Sequence, residues 1–242
     1  MILTVIQPDE ACPLDRFDPW LRAAAPDLEV RTVRPFAGEA VPQEPGDALR
    51  VLGGTMHAPA DADHPWLVAV RALIADAVAA GTPTLGVCLG AQLLAVATGG
   101  RVQVAAPPGV EAGVVEVIPR PAVRDDALLA PFAADVPADN PLNSGVLLVM
   151  PSMHHDAVVE LPATATWLAS SRLYPYQAFR VGARAWGLQF HPEAAPGTVA
   201  AWAAPHEGLD PEAVRAEVEA ADDRIAADGA RLAAQFMALA RG

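Results

Sequence analysis

The sequence predicts an α/β fold of three layers, in which a mostly parallel central sheet is covered by helices on both faces. Short β-branched runs alternate with helical patterns through the first half of the chain, which is typical of βαβ units. The 242 residues lie in the size range in which one α/β domain with a full core is common. A hydrophobic fraction of 52% with only 5% aromatics indicates a core of small side chains. We therefore expect a single domain over residues 1–242, which ends in a helical segment from about residue 197.

The first half of the chain predicts four strands and three helices. Pro65 is a favourable first residue for the longest of these helices, and Gly81 ends it. The fourth strand runs directly into Cys88, and the helix after this residue stops before Gly99. The predicted strands are residues 1–6, 28–33, 48–52 and 84–87, and the predicted helices are residues 16–25, 65–80 and 92–97.

Short strands with proline-rich connections dominate the second half as far as residue 190. We interpret them as an antiparallel extension and the last strands of the sheet, at residues 114–118, 146–150, 167–170, 178–181 and 185–190. Residues 131–141 are predicted to form a loop. Asp210-Pro211-Glu212 then starts a C-terminal helix, and its apolar stripe is expected to cover the protein's own sheet. This stripe consists of Val214, Val218, Ala221, Ile225, Leu232, Phe236 and Leu239.

The charge of the chain disfavours several classes of function. Its formal net charge is −13, from 29 acidic and 16 basic residues, so nucleic acid is not an expected partner. All 16 basic residues are Arg, which removes Schiff-base chemistry and the lysine of a P-loop. No apolar run approaches the ~20 residues of a membrane span, and the first residues do not resemble a secretory signal. Two cysteines cannot form a disulfide framework, which favours a reducing compartment. We therefore expect a cytoplasmic protein, and without a long apolar run we expect no membrane partner.

A cysteine lies at a strand-to-helix turn in the segment Gly86-Val87-Cys88-Leu89-Gly90. Glycines on both sides permit the tight turn of a nucleophile elbow, in which a strained backbone presents the central side chain. The positive end of the following helix dipole favours a thiolate at this position. A small buried cysteine is the commoner alternative for any Cys taken alone. The flanking glycines and the strand-to-helix position favour Cys88 as a nucleophile.

A histidine and a glutamate follow the last predicted strand in the segment Phe190-His191-Pro192-Glu193. In an extended backbone, residues i and i+2 point to the same side, so Glu193 can hold the tautomer of His191. A nucleophile, a base and a carboxylate that orients the base form a catalytic triad, here with sulfur as the nucleophile. The sequence therefore predicts Cys88, His191 and Glu193 as catalytic residues.

Both segments resemble motifs of the class I glutamine amidotransferases. Residues 86–92 match the form G-[IV]-C-x-G-x-Q, and residues 187–193 match the form G-x-Q-[FW]-H-P-E. The order of Cys before His is also that of the family, and the resemblance extends over about residues 1–196. It implies a flavodoxin-like fold and hydrolysis of the glutamine side-chain amide, without a metal or an organic cofactor.

The resemblance also implies roles for residues around the triad. Cys88 is expected to form a γ-glutamyl thioester, with His191 as the base and Glu193 as its orienter. The backbone N–H groups of Gly54 and Leu89 are expected to form the oxyanion hole. Glutamine or another γ-glutamyl compound is the expected ligand, and a synthase partner could accept the released ammonia. The residues assigned to substrate binding are Gln92, Gly53, Met153 and His155.

Three alternatives remain open at this point. The paired histidines of Ser152-Met153-His154-His155-Asp156-Ala157 resemble the γ-glutamyl peptide hydrolases of the same superfamily, which need a roomier pocket beyond the leaving nitrogen. Gln177-Ala178-Phe179-Arg180 and the strand of Trp186 instead resemble stand-alone proteins similar to the glutaminase domain of GMP synthase. A third alternative is a binding or regulatory protein that keeps the fold without turnover, and the intact triad argues against it.

The remaining histidines and the second cysteine are interpreted as structural. Adjacent residues of an extended chain point to opposite faces, so His154 and His155 do not predict a zinc site. Partner or substrate specificity is expected in residues 107–143, which are the least similar to the family. The residues expected to be solvated, to cap helices or to be inert are His57, His64, His206 and Cys12.

Overall fold

The structure is a computed structural model that describes residues 1–134 and 145–242 of the chain. These residues contain eleven strands, nine of which form one sheet. The strands are β1 (Ile2–Ile6), β2 (Glu29–Val33), β3 (Ala48–Val51), β4 (Thr84–Val87), β5 (Arg101–Gln103), β6 (Glu111–Pro119), β7 (Leu148–His154), β8 (Ala157–Glu160), β9 (Ala165–Ser170), β10 (Ala178–Val181) and β11 (Ala185–Leu188).

One half of the sheet is parallel, in the order β2-β1-β3-β4-β11. The register pairs Val51 of β3 with Gly86 of β4, and Val87 of β4 with Leu188 of β11. The carboxyl ends of these three strands therefore lie side by side, and the residues that follow them meet at one edge of the sheet. Ligands of open α/β sheets bind at this edge.

The other half continues antiparallel in the order β11-β10-β9-β6-β7, and β5 pairs with β8 in a separate antiparallel ribbon. This arrangement confirms the predicted combination of a parallel sheet with an antiparallel extension.

Helices cover both faces of the sheet, as the sequence predicts for a three-layer fold. The helices are α1 (Phe17–Ala24), α2 (Trp66–Ala80), α3 (Leu89–Ala97), α4 (Pro196–Ala203), α5 (Pro211–Ala220) and α6 (Asp222–Arg241). On one face α2 and α3 pack in a core with Leu49 and Val51 of β3. On the other face α1, α4, α5 and α6 share a core with Ala48 and Leu52. This alternation of side chains places residue 50 on the second face.

The apolar stripe of the C-terminal segment covers the sheet, as expected, but the segment is not one helix. Val218 of α5 and Phe236 of α6 are fully buried in the second core. The helices are separated at Ala221, where φ is −107° and ψ is 3°. No Gly or Pro marks this bend in the sequence. It coincides with an ion pair that Arg16 forms with Asp222 at N–O distances of 2.7 and 3.0 Å.

Strand positions differ from the sequence prediction in several places, including β6, which starts at Glu111 and not at Val114. β5 and β8 were not predicted, because they are only three and four residues long and are defined by their pairing with each other. β7 was predicted to end at Met150, but it continues through Pro151 to His154. A proline is compatible with this position because β7 is the edge strand of the sheet.

Two predictions extend beyond the described residues. The loop predicted over 131–141 starts in a short 3₁₀ turn, Ala130–Phe132, and its part from residue 135 onwards lies outside them. The segment 107–143, predicted to carry specificity, lies partly outside them for the same reason. Among the helices of residues 1–134 and 145–242, none combines the length and the apolar character that crossing a membrane requires.

Candidate functional site

A pocket of about 200 Å³ opens at the carboxyl ends of the parallel strands. Cys12 follows β1, Gly54 follows β3, Cys88 follows β4 and His191 follows β11, and all four line this pocket. Its volume is below the ~300–1,000 Å³ of pockets for drug-sized ligands, so it fits a ligand the size of an amino acid. The pocket is lined further by Ala11, Thr55, Met56, His57, Gln92, Met153, His154, His155, Asp156, Ala201, Trp202, Pro205 and His206.

Cys88 occupies the turn between β4 and α3 in a strained backbone conformation. Its φ of 51° and ψ of −110° are rarely adopted by residues other than glycine. The turn is tight because a Cβ on Gly86 would overlap the backbone of Gly90, and a Cβ on Gly90 would overlap the carbonyl of Val51. The Cys88 N–H donates to the carbonyl of Leu188 at 2.8 Å, which ties the turn to β11. The geometry is that of a nucleophile elbow.

His191 and Glu193 form a buried pair beside Cys88. His191 Nδ1 lies 2.8 Å from Glu193 Oε1, and the two side chains are only 2% and 3% exposed. The backbone N–H of His191 donates to the carbonyl of Pro151 on β7 at 2.8 Å. The ring of Trp202 lies 4.4 Å from the imidazole, centroid to centroid. Glu193 and Trp202 thus hold the imidazole from two sides, the backbone bond fixes the residue that carries it, and its Nε2 is left for the pocket.

The electrostatics of the pair favour an imidazolium. Burial lowers the pKa of His191, but the negative charge of Glu193 and the interaction with Cys88, which includes a side-chain hydrogen bond, outweigh it. Together they raise the pKa of His191 to about 10. Cys12 behaves differently, because burial and the nearby charges of Cys88, Asp9 and Glu193 raise the pKa of its thiol far above the ordinary range. Cys12 therefore stays a thiol although it lines the pocket.

The predicted oxyanion residues are neighbours. A Cβ on Gly54 would lie 2.7 Å from Leu89 Cδ2, so the Gly54 backbone approaches the first turn of α3 as closely as a glycine allows. The N–H of Leu89 belongs to that first turn, whose amides have no partner within the helix. Gly53 lies behind them, and a Cβ there would be 3.1 Å from His191 Cε1.

The residues predicted to bind substrate lie on one side of the pocket, with the exception of Gly53. Gln92 is buried, and its Nε2 donates to the carbonyl of Asp156 at 3.0 Å and to Gln189 Oε1 at 3.2 Å. Met153, at the end of β7, and the partly exposed His155 line the same wall. Gln92, Met153 and His155 are thus brought together from α3 and β7.

Several pocket residues were not predicted to lie there. His57 and His206 are partly exposed, as expected, but both lie at the rim, with ring centroids 6.0 and 6.2 Å from His155. Asp156 holds His57 through a contact of 2.6 Å between its Oδ2 and Nδ1. Asp156 is the one residue of this group with a signal in the sequence, because it follows the paired histidines directly. His64 packs against Trp66 and does not line the pocket.

His154 and His155 do face different surroundings, as the sequence predicts for adjacent residues of a strand. His154 is buried, and its Nε2 lies 3.1 Å from Glu111 Oε2, whereas His155 is partly exposed at the rim. Over residues 1–134 and 145–242, no group of three His, Cys, Asp or Glu side chains is arranged to hold a metal ion.

Comparison with known proteins gives the family. The family model described as "Glutamine amidotransferase class-I" matches residues 47–201, which include Gly54, Cys88, His191 and Glu193. The chain belongs to the class I glutamine amidotransferase family. This agrees with the resemblance of the two sequence motifs.

Curated members of the family and solved structures are similar to this class I chain. GMP synthases from Yersinia pestis and Yersinia pseudotuberculosis are 36% identical to it over 115 residues. These residues are 47% of this chain but only 20% of each GMP synthase, so the match covers about a fifth of those proteins. A glutamine amidotransferase from Thermotoga maritima has the same fold, with a TM-score of 0.81, 24% identity and coverage of 100% and 99% of the two chains. A glutamine amidotransferase from Methylobacillus flagellatus has a TM-score of 0.77 and 26% identity, and the match covers 98% of this chain and 92% of that one.

Proposed function

We propose that the chain hydrolyses the side-chain amide of glutamine and releases glutamate and ammonia. The observation that carries this proposal is that Cys88 and His191 line one pocket, with Glu193 bound to the far nitrogen of His191, in a class I glutamine amidotransferase chain. A nucleophile, a base within reach and a carboxylate on the far nitrogen of that base are the parts that acyl transfer requires.

In the proposed first step, the Cys88 thiolate attacks the γ-carboxamide carbon of glutamine. The N–H groups of Leu89 and Gly54 stabilise the negative charge that develops on the amide oxygen. His191 then donates its proton to the departing nitrogen, so that ammonia leaves and a γ-glutamyl thioester remains on Cys88. The raised pKa of His191 keeps this proton available at neutral pH.

In the proposed second step, water hydrolyses the thioester. His191, now neutral, takes a proton from the water while the hydroxide attacks the thioester carbon. The C–S bond breaks, glutamate leaves, and the thiolate with its imidazolium is restored. Neither step requires a metal ion or an organic cofactor.

We assign the binding of the amino acid to the wall formed by Gln92, Met153 and His155, and Gly53 supports this site from behind, next to His191. Gln92 is fixed by two hydrogen bonds before any ligand arrives, which lowers the entropic cost of binding. The Yersinia relatives are glutamine-hydrolysing GMP synthases. By analogy, the ammonia formed here would be used by an acceptor or by a separate synthase partner.

Hydrolysis of γ-glutamyl amides or peptides is a second candidate, and the rim of the pocket favours it. His57 and His155 are 44% and 38% exposed, so the entrance on their side is open to solvent. A leaving amine larger than ammonia would extend in this direction.

Purified protein incubated with glutamine, γ-glutamyl methylamide and a γ-glutamyl dipeptide tests both candidates. Ammonia and glutamate from glutamine alone support the first, and faster release of an amine supports the second. A glutamine-like chloroketone should label Cys88 in the wild type and in Cys12→Ala, and should not label Cys88→Ala. No turnover of any substrate together with no labelling would refute both, and would leave a binding or regulatory protein.

A further inference from the structure

Arg50 is a buried cation behind the triad. It lies in the middle of the sheet, on β3, where it pairs with Val5 of β1 and Leu85 of β4. Its side chain has no exposed surface, and its Cζ lies 3.7 Å from the centroid of the Phe17 ring. Neighbouring positions of the strand are apolar, so neither solvation nor β-propensity explains an arginine here.

The guanidinium and the triad carboxylate face each other with unsatisfied atoms. Arg50 Nη2 lies 3.9 Å from Glu193 Oε2. In the part of the chain that the structure describes, Nε, Nη1 and Nη2 of Arg50 and Oε2 of Glu193 have no hydrogen-bond partner. A buried charge without an opposite charge is very costly, so the proximity of the two groups is what makes each of them tolerable.

The charges of the triad explain why such a cation is useful. Cys88 and His191 together are neutral, either as thiolate with imidazolium or as thiol with imidazole. Glu193 adds one negative charge, so the working triad has a net charge of minus one in a buried site. Without a compensating cation, burial favours the uptake of one more proton, which would neutralise the thiolate or the carboxylate.

We propose that Arg50 is a positioning residue of the triad, which balances the charge of Glu193 and so keeps the triad in its working protonation state. Arg50 contacts the carboxylate oxygen that does not bind His191, and it therefore acts through Glu193 and not on the substrate. Burial lowers the pKa of Arg50 to about 9, against the opposing effect of Glu193, so the group is still a cation at neutral pH.

Other titratable groups near the triad are unchanged by substitution of Arg50. Arg16 and Asp15 lie close to the Glu193 segment, but Arg16 is paired with Asp222, and Asp15 binds Ala195 and Thr198. The groups on the pocket side are Asp9, Cys12, His57, His154 with its partner Glu111, His155, Asp156 and His206.

The test is the pH dependence of Cys88 alkylation by iodoacetamide, measured on the whole chain. Arg50→Met and Arg50→Gln remove the charge, and Arg50→Lys keeps it. In Arg50→Met and Arg50→Gln we expect the midpoint pH at which Cys88 becomes reactive to rise by about 1 unit or more, so that the alkylation rate below the midpoint falls about tenfold. The plateau at higher pH should be retained. The midpoint of Arg50→Lys should stay closer to that of the wild type than the midpoint of Arg50→Gln, because the contact of 3.9 Å depends on charge and not on a bidentate fork.

Arg180→Met is the matched control, because it removes a cation that is paired with Asp126 outside the pocket. It should leave the midpoint of Cys88 alkylation unchanged. Thermal unfolding and near-ultraviolet circular dichroism report whether each variant folds. If Arg50→Met does not fold, Arg50→Gln provides the test, because its side chain can still donate a hydrogen bond to Glu193. A purely structural role would lower the rate at every pH without moving the midpoint. An unchanged midpoint of Cys88 alkylation in a folded Arg50→Met or Arg50→Gln variant overturns the inference.

The pH profile of glutamine hydrolysis, measured in parallel, rests on the proposed function, whereas alkylation does not. A shifted alkylation midpoint in a protein that releases no ammonia would support the role of Arg50 and refute glutamine hydrolysis. Glutamine hydrolysis with the same midpoint pH in the wild type, Arg50→Met and Arg50→Gln would support the proposed function and refute the role of Arg50.

Discussion

A methyl group added at Gly53 should impair catalysis more than folding. The new Cβ of Gly53→Ala would lie 3.1 Å from His191 Cε1 and 3.6 Å from Cys12 Sγ. The first distance is shorter than an ordinary van der Waals contact by a few tenths of an ångström. The imidazole cannot yield freely, because Glu193 and the ring of Trp202 hold it, and the backbone of His191 is fixed by its hydrogen bond to the carbonyl of Pro151. It should therefore be displaced by a similar few tenths.

The size of the effect follows from the sensitivity of catalysis to position. A misplacement of ~1 Å costs about 100-fold in rate, so a smaller displacement should lower kcat/KM about tenfold, or ~1.4 kcal/mol in transition-state stabilisation. Overpacking by one methyl group should lower the free energy of unfolding by only about 1 kcal/mol. The backbone of Gly53 is outside the left-handed region, so alanine adds no backbone strain.

Steady-state release of glutamate from glutamine, together with denaturant unfolding, measures both quantities for Gly53→Ala. Gly197→Ala is the matched control, since nothing lies within 4 Å of a Cβ at that position in α4. It should keep wild-type activity and gain up to ~1 kcal/mol of stability from helix propensity. Wild-type activity in Gly53→Ala, or the same loss in Gly197→Ala, would refute the reasoning.

Three further predictions concern the elbow and the triad. Cys88→Gly should abolish glutamine hydrolysis yet raise the free energy of unfolding by about 1 kcal/mol, because glycine relieves the strained φ of 51°. A lower free energy of unfolding, measured by chemical denaturation, would show that the turn is not strained. Gly90→Ala should destabilise the fold by about 3 kcal/mol, since its Cβ meets the carbonyl of Val51, and an unchanged thermal midpoint would contradict the packing described. Glu193→Gln should move the upper limit of the pH–rate profile down from about 10 towards the ordinary ~6.5 of histidine, because the raised pKa of His191 depends on the carboxylate. The protonated imidazole also stabilises the fold, fully below pH ~6.5, and this contribution disappears as the pH rises through about 10. The difference in free energy of unfolding between the wild type and Glu193→Gln should therefore shrink between these two pH values.

The elements around Cys88 could be predicted because their signals are local. β4 was predicted at its observed limits, and α2 ends at Gly81 as predicted, in a left-handed conformation. The helix after Cys88 begins at Leu89, three residues earlier than the predicted Gln92. The apolar periodicity could not reveal this start, because the first turn of α3 contains the small residues Gly90 and Ala91 that the elbow requires.

The parts of the site that the sequence did not predict depend on contacts between segments that lie far apart in the chain. Trp202 reaches His191 only because α4 packs beside the pocket, where Trp202 Nε1 donates to the carbonyl of Ala11 at 2.7 Å. No local pattern predicts that contact, and the same holds for Cys12. Arg50 did have a signal, since it is the one charged residue in the apolar run 48–52 before Gly53. Its significance depends on Glu193, which lies far away in the sequence.

The hydrogen bond from His191 to Pro151 connects the two halves of the sheet. The backbone of Cys88 is attached to the parallel half through its bond to Leu188, while the backbone of His191 is also attached to the antiparallel edge strand β7. The sulfur-to-nitrogen separation is therefore coupled to the relative displacement of two structurally distinct regions. A force that displaces the outer strand β7 would therefore act on the pocket in two ways, through the wall that Met153 and His154 form and through the backbone of His191.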